Sequence, residues 1–369
     1  MGYNIGVQSN HFKEFSLTID GIKIVEEQII SLMINWDINH FKITGSLSWK
    51  DGSCMVEETP IRGGNTVVIN MTDFDGASYS GNFKVLNTNY ERSTDFYIST
   101  ISFIDTESFN ILKLYPTKSW LQATMVQIID DAKTAKPFLT SKGKEFNDPG
   151  LMHENFVVPQ NKNFYWTIEW LKQRNNRLMF QNREKYIIDD FNTLINKGVK
   201  GKPYYFKANN ASYKRNVYEY SVKNSDFIKN IATMPNVEFP YFNVDYKHKQ
   251  QTKGSYADAS GAIGGQGTLN DFSSNGDKFS FISNTNFEET KDFYFQKNAL
   301  SNLVVEILVP GQCKTNLGDV VCLEFDNLFE GKGPEKNIKG KFLIVGLTDI
   351  FQNPEYLQKL TLARPKWFK

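Results

Sequence analysis

The sequence predicts a mainly β fold with an α+β segment. It reads as two β units of one kind, each a sandwich or a barrel, a small α+β domain between them, and a flexible insertion. Three observations predict this. Short runs rich in β-branched and aromatic residues are separated by turn residues in the first hundred positions and again at the end. The spacing of apolar residues becomes helical in the middle. The late strands also repeat the order of the early ones. The predicted boundaries are 1–113 for the first β unit, 114–203 for the α+β domain, and 204–247 with 303–369 for the second β unit. The insertion, a flexible loop plus a helix, spans 248–302.

The elements follow in order. Phe15 to Ile24 alternates around Asp20-Gly21, a hairpin signal. His40 to Gly52 places Phe41, Ile43 and Leu47 at alternate positions, and three more strand candidates follow before residue 106. Ser119 to Lys133 carries Leu121, Met125, Ile128, Ile129 and Ala132 at helical spacing, with Ser119 as N-cap. Asn163 to Asn176 predicts a second helix, and Arg177 to Phe191 a hairpin turning at Gln181-Asn182-Arg183-Glu184. Strands are predicted within Ser212–Asn224 and Asn236–Lys247, with a short helix between them. His248 to Lys278 is Gly-, Ser-, Gln- and Asn-rich and reads as a loop. Asn286 to Asn302 predicts a helix, and four strands close the chain.

The repeat is specific in its order. Gly64 to Ile69 parallels Gly318 to Leu323, and Gly81 to Leu86 parallels Gly340 to Val345. Asp95-Phe96-Tyr97 opens a strand as Glu355-Tyr356-Leu357 does. Before each set lies a strand ending in a turn, Asp51-Gly52 or Pro310-Gly311. This predicts one β unit occurring twice. The competing reading is that alternating strands with glycine turns resemble one another anyway.

Composition narrows the function classes. With 42 Lys+Arg, 41 Asp+Glu and a net charge of +1, the chain lacks the basic excess of a dedicated nucleic-acid binder. Three cysteines cannot form a fully paired disulfide framework, which favours a reduced, intracellular origin. The N-terminal residues carry no signal-peptide pattern, and no apolar stretch is long enough to span a membrane.

No residues are assigned to catalysis, cofactor binding or a metal. Cys322 alternates with Val321 and Leu323 and reads as a buried hydrophobe; Cys313 falls in a turn region without a ligand partner. His11, His40, His153 and His248 are scattered, and His153 beside Glu154 reads as a polar loop. The pairs Glu57-Glu58, Asp130-Asp131 and Asp189-Asp190 read as solvated charge, since adjacent strand residues face opposite ways. Gly261 to Gly267 lacks the Lys-Ser/Thr and the preceding strand of a phosphate loop. Of the six tryptophans, all but Trp367 read as core.

The order of parts resembles a known family, the central baseplate hub protein of contractile-tailed bacteriophages. It also resembles the hub-like part of type VI secretion spike proteins. The ending carries most of the likeness: "LVVEILVPGQCKTNLGDVVCLEF", then "GKFLIVGLTDIFQNPEYLQKLTLAR". "YWTIEWLKQRNNRLMFQNREKYIIDDFNTLIN" is similar to the family's middle helix and hairpin. The resemblance implies two tail-tube-like β-barrel domains per chain and a homotrimer whose six barrels ring a channel. Such a ring joins a sixfold tail tube to a threefold spike. It implies a structural protein of the virion tail baseplate, assembled in the host cytoplasm, without enzymatic activity or cofactors. Implied partners are its own copies, a central spike protein, tail tube or tube-initiator proteins, baseplate wedge proteins and a tape measure protein. DNA is passing cargo, and no stable membrane insertion is implied. Because the chain ends just after its last strand, the spike is expected to be a separate protein.

Two nearer alternatives are a distal tail protein and a hub or spike base of a type VI-like contractile injection system. A peptidoglycan-cleaving tail enzyme and a carbohydrate-binding receptor protein are the readings from other classes.

Overall fold

The computed structural model describes residues 12–52, 61–92, 94–135, 138–206, 215–223, 239–245, 250–256, 280–281, 293, 303–325 and 338–364. The predicted helices within 225–234 and at Asn286–Asn302 lie outside these residues, apart from helical Phe293.

The first β unit holds β1 (Glu14–Ile19), β2 (Ile22–Ile24), β3 (Ile29–Asp37), β4 (Thr44–Asp51), β5 (Thr66–Thr72), β6 (Ser78–Arg92) and β7 (Tyr97–Asp105). The predicted Asp20-Gly21 hairpin forms, with positive φ at both residues. A middle unit follows: α1 (Thr106–Leu112), β8 (Ser119–Ala123), α2 (Met125–Ala135), β9 (Gly143–Phe146), β10 (His153–Val157), α3 (Phe164–Arg174), β11 (Leu178–Gln181), β12 (Lys185–Asp189) and α4 (Phe191–Asn196). Next come β13 (Tyr204–Phe206), β14 (Glu219–Lys223), β15 (Phe239–Asp245), β16 (Gln250–Tyr256) and β17 (Ser280–Phe281). The chain closes with β18 (Leu303–Pro310), β19 (Val320–Phe325), β20 (Gly340–Gln352) and β21 (Glu355–Arg364).

Both β units belong to one 13-stranded sheet, mostly antiparallel, with the main path β14-β18-β21-β20-β3-β4-β7-β6-β5-β1-β2. β20 also pairs with β19, and β13 pairs with β19 in parallel. Among the described residues the pairing does not close either unit into a barrel. One apolar core runs under both units, from Leu17 and Trp49 to Leu343 and Leu360. A second core, including Phe41, Ile128, Phe164 and Leu171, fills the middle unit.

The repeat read from the sequence is present in the hydrogen-bond register. Val67 lies opposite Phe83 and Ile69 opposite Gly81; Val321 lies opposite Phe342 and Leu323 opposite Gly340. Gly64 and Gly318 both take positive φ, a conformation that needs glycine. Each donates to the matching carbonyl, Gly64 to Val85 at 2.8 Å and Gly318 to Ile344 at 3.0 Å. β6 and β20 then carry a bulge at the same place, at Leu86 and at Val345. Only the last pairing of strands needs correction. The register matches Tyr97 with Tyr356, one residue away from the match to Leu357 read from the sequence. The β20–β21 ladder runs one pair further into its turn, to Gln352 opposite Glu355.

Two local expectations change. Ser119 does not cap a helix: residues 119–123 form β8, paired with β10, and Trp120 stacks on Phe156 at 5.7 Å. The helix starts at Met125. Thr124 and Gln127 cap it reciprocally, the Thr124 N–H donating to Gln127 Oε1 (2.9 Å) and the Gln127 N–H to Thr124 Oγ1 (3.4 Å). Burying Trp120 in a strand outweighs the helical spacing. Part of the stretch read as a loop is also paired, since β16 forms a polar antiparallel ladder with β15. The helix expected at Asn163–Asn176 forms as α3, with Asn163 as its N-cap, and the hairpin turns at residues 181–184.

Gly45 lies in β4 between β3 and β7, where an added Cβ would meet the Phe103 ring and the Met33 carbonyl oxygen. Gly45→Ala is expected to cost about 3 kcal/mol, because the sheet backbone cannot move aside. A urea unfolding midpoint measures it.

Candidate functional site

Three parts of the chain meet at Arg183, in the turn of the β11–β12 hairpin. Its guanidinium grips both carboxylate oxygens of Asp349 on β20, at 2.6 and 2.7 Å. Its Nε donates to the Thr315 carbonyl (3.0 Å) ahead of β19. The same cation lies over the rings of Trp36 and Tyr79 from the first β unit, 4.7 and 4.8 Å from their centres. Arg183 and Asp349 are both almost fully buried. Burial works against the Arg183 charge, but Asp349 outweighs it and holds the group above its ordinary range.

Further donors complete the knot. Asp349 accepts from Tyr356 Oη (3.0 Å) and Gln358 Nε2 (2.8 Å). Burial, then the Asp349 charge, raises the Tyr356 phenol well above its usual range. The Cys313 N–H donates to Asp73 Oδ2 (2.8 Å), tying the second unit to the β5–β6 turn of the first. Burial pushes the Cys313 thiol up to about 11, so it stays a thiol at neutral pH. The expected burial of Cys322 is corrected: Cys313 is the buried cysteine and Cys322 is half-buried. Cys313 folds back onto Tyr356, whereas Cys322 lies next to the β13–β19 end of the sheet.

A cavity of about 320 Å³ opens beside the knot, lined by Ile43, Tyr79, Phe83, Asp105, Lys142 and Arg183 among others. Burial lowers Lys142 to about 8, and raises Asp105. Asp105 accepts from the Ile43 N–H (2.7 Å) and caps α1 through Ser108 N–H (2.9 Å). Lys142 Nζ donates to Gln181 Oε1 (3.0 Å) and the Asn182 carbonyl (2.6 Å). Gln181 Nε2 in turn donates to the Phe41 carbonyl (2.9 Å), which ties the middle unit to the first β unit.

The second feature is a pair of sheet edges. β6 pairs with β7 along its whole outer half, Asn87–Arg92. Its other edge there has no ladder among the described residues, and residues 86–92 are exposed on both faces. β14, at the end of the sheet path, pairs among the described residues only with β18. Large apolar side chains stand exposed at these edges, including Tyr90 (58%) and Val222 (39%). Unpaired edge groups of this kind invite another strand.

The residues singled out from the sequence do not converge on a reaction centre. His153 is corrected from polar loop to buried strand residue: it packs on Trp170 and lies 3.1 Å from Asn175 Nδ2. Asp130 and Asp131 lie on α2 rather than a strand, and pair with Lys144 and Lys118. Asp189 is buried against Lys197 and Asn147, while Asp190 caps α4. Trp36, Trp49 and Trp120 are buried as expected. Glu57-Glu58, His11, His248, Gly261–Gly267 and Trp367 lie outside the described residues. Among the described residues, no group of three or more His, Cys, Asp and Glu could hold a metal ion.

No family model matches the chain, and no curated protein sequence does. Solved structures do. A 43 kDa tail protein of prophage MuSo2 from Shewanella oneidensis matches at a TM-score of 0.60 and 13% identity, covering 96% of this chain and 98% of its own. A tail protein from Neisseria meningitidis matches at 0.61 and 11% identity, covering 95% and 96%. The E. coli c3393 protein, a type VI secretion component described as similar to the T4 tail proteins gp27 and gp5, matches at 0.53 and 9% identity. That match covers 95% of this chain and 76% of the other. Over nearly its full length, the chain has the fold of these tail proteins, as the resemblance read from the sequence implies.

The knot generates two expectations. Arg183→Met strands a buried carboxylate and should cost on the order of 3–5 kcal/mol, read from urea unfolding. Lys142 gives a pH signature. Between about 8 and its ordinary 10.5, the unfolded chain holds a proton that the folded chain has released. Stability therefore rises with pH across that window. Lys142→Met should remove this rise, so that the parent-minus-variant difference in unfolding free energy grows with pH between about 8 and 10.5.

Proposed function

We propose that the chain is a structural baseplate hub of a phage-type contractile tail. Three copies form a ring of six tube-like β units around a channel. The ring joins a sixfold tail tube to a threefold central spike, with DNA as passing cargo. The observation that carries this reading is the duplicated β unit. Two units with the same register, bulge and glycine turn are joined edge to edge within one chain. Two similar units per chain let a threefold assembly present six similar faces. The full-length likeness to tail proteins supports the same reading.

On this reading the chain acts by mechanics and does no bond chemistry, and its partners are its own copies, a spike, tube or tube-initiator proteins and wedge proteins. The proposed domains are 1–113, 114–203, and 204–247 with 303–369, with 248–302 inserted. The likeness to a type VI component favours one second reading, the hub or spike base of a type VI-like injection system.

Light scattering on the purified full-length chain, alone and mixed with a candidate spike, tests the proposal. The expected mass is three times the 42.4 kDa chain mass alone, or that mass plus the mass of the bound spike in the mixture. A monomer under both conditions overturns it.

A further inference from the structure

The cavity of about 320 Å³ beside Arg183 is built from two parts of the chain. Ile43 and the start of β6, from Tyr79 to Phe83, supply the side of the first β unit. Ser141, Lys142 and Gln181 supply the side of the middle unit. The volume is far above the roughly 10–15 Å³ that admits a single water, so a small organic molecule has room there.

The carboxylates of the lining are already engaged. Asp105 takes the Ile43 and Ser108 N–H groups. Glu107 takes the Leu139 N–H (2.8 Å), the Thr140 N–H (3.3 Å) and the Tyr186 hydroxyl (3.1 Å). Two donors are not engaged. A charged Lys142 has three protons on Nζ. Two point to Gln181 Oε1 and the Asn182 carbonyl, and the third has no partner among the described residues. Tyr79 is only 5% exposed, yet its hydroxyl has no hydrogen-bond partner among the described residues. Gly81 keeps the space beside that oxygen open, since a Cβ there would stand 2.7 Å from it. Buried polar side chains are normally paired, and an unpaired hydroxyl is costly.

We propose that this cavity binds a small organic carboxylate, held by the Tyr79 hydroxyl and the Lys142 ammonium, with its apolar stem against Ile43 and Phe83. Unused donors call for an acceptor, and a carboxylate offers two oxygens to the two donors. Charge favours the same class. Burial lowers the Lys142 amine to about 8, although Asp105 and Glu107 both favour its charge. The Arg183 charge is already met by Asp349. Burial also raises Asp105, which reduces the negative charge that a ligand meets. A bound carboxylate gives Lys142 a counter-ion at hydrogen-bond distance, and such bonds are stronger than neutral ones. The site does not depend on the hub reading.

Urea unfolding of the full-length chain with butyrate tests the site. A ligand that binds only the folded chain raises its unfolding midpoint, and butyrate is expected to do so. Butyramide has the same stem without the charge. Butyramide, and sodium chloride at equal ionic strength, should leave the midpoint unchanged, and inorganic phosphate should shift it less than butyrate. Tyr79→Phe keeps the ring that faces Arg183 and removes only the hydroxyl. Without ligand its midpoint should be no lower than the parent's, because the lost hydroxyl had no partner. With butyrate, Tyr79→Phe and Lys142→Met should each weaken the apparent affinity about tenfold, the loss of one hydrogen bond to a charged group.

A shift with butyrate that is weakened in both variants supports the proposal. No shift with butyrate overturns it, and a shift that both variants retain overturns the site. An equal shift with butyramide overturns recognition of the carboxylate. An equal shift with phosphate overturns the organic class. A ligand-free midpoint of Tyr79→Phe well below the parent's shows that the hydroxyl is paired in the free chain, which overturns its role as an unused donor. None of these outcomes alters the trimer expectation, which light scattering reads separately.

Discussion

The structure depends on one buried ion pair. Arg183 reaches from the hairpin of the middle unit into the junction between the two β units and closes on Asp349. Removing both charges from water is costly, and only good geometry offsets it. Here one guanidinium nitrogen, Nη2, donates to both carboxylate oxygens, two further donors reach the carboxylate, and two aromatic faces flank the cation. The partners come from all three parts of the chain. A displacement of any one part leaves a buried charge incompletely paired, so the knot selects a single arrangement of the three. Asp349 is also a residue of the β3–β20 ladder, opposite Ile34. The polar lock and the strand pairing therefore fix the same junction.

The duplication explains why the two β units look alike in register yet differ in environment. β6 and β20 share their bulge and their pairing with the next strand. Past the bulge, β20 finds β3, while β6 finds no strand among the described residues. Side-chain chemistry follows this difference. Asp349 recruits Arg183, Tyr356 and Gln358, while its counterpart Tyr90 packs edge-on against Tyr97 and faces outward. The internal junction has gained a specific polar lock. The outer edges instead mix apolar side chains such as Tyr90 and Val222 with charged ones, Glu91, Arg92, Glu219 and Lys223.

Much of the local structure was legible in the sequence, because it rests on short-range signals. The Asp20-Gly21 hairpin, the helix at Asn163–Asn176 and the closing strands are each set by turn chemistry, periodicity or alternation over a few residues. The repeat was legible for the same reason, since Gly64 and Gly318 mark turns that only glycine adopts easily. Failures came where a distant partner decided the outcome. Residues 119–123 carry helical spacing, yet pairing with β10 and stacking of Trp120 on Phe156 make them a strand. The burial of Cys313 follows from Asp73 and Tyr356, which are far from it in the chain.

The sequence by itself determined the β units, their repetition, the near-neutral charge and the absence of any local catalytic or metal motif. Each of these is a matter of composition, periodicity or neighbouring residues. Only the tertiary structure decided that the two units share one sheet and one core and that Arg183 locks their junction. These are contacts between residues more than a hundred positions apart. Periodicity states which face of a strand is apolar, but it carries no information about which other strand lies beside it.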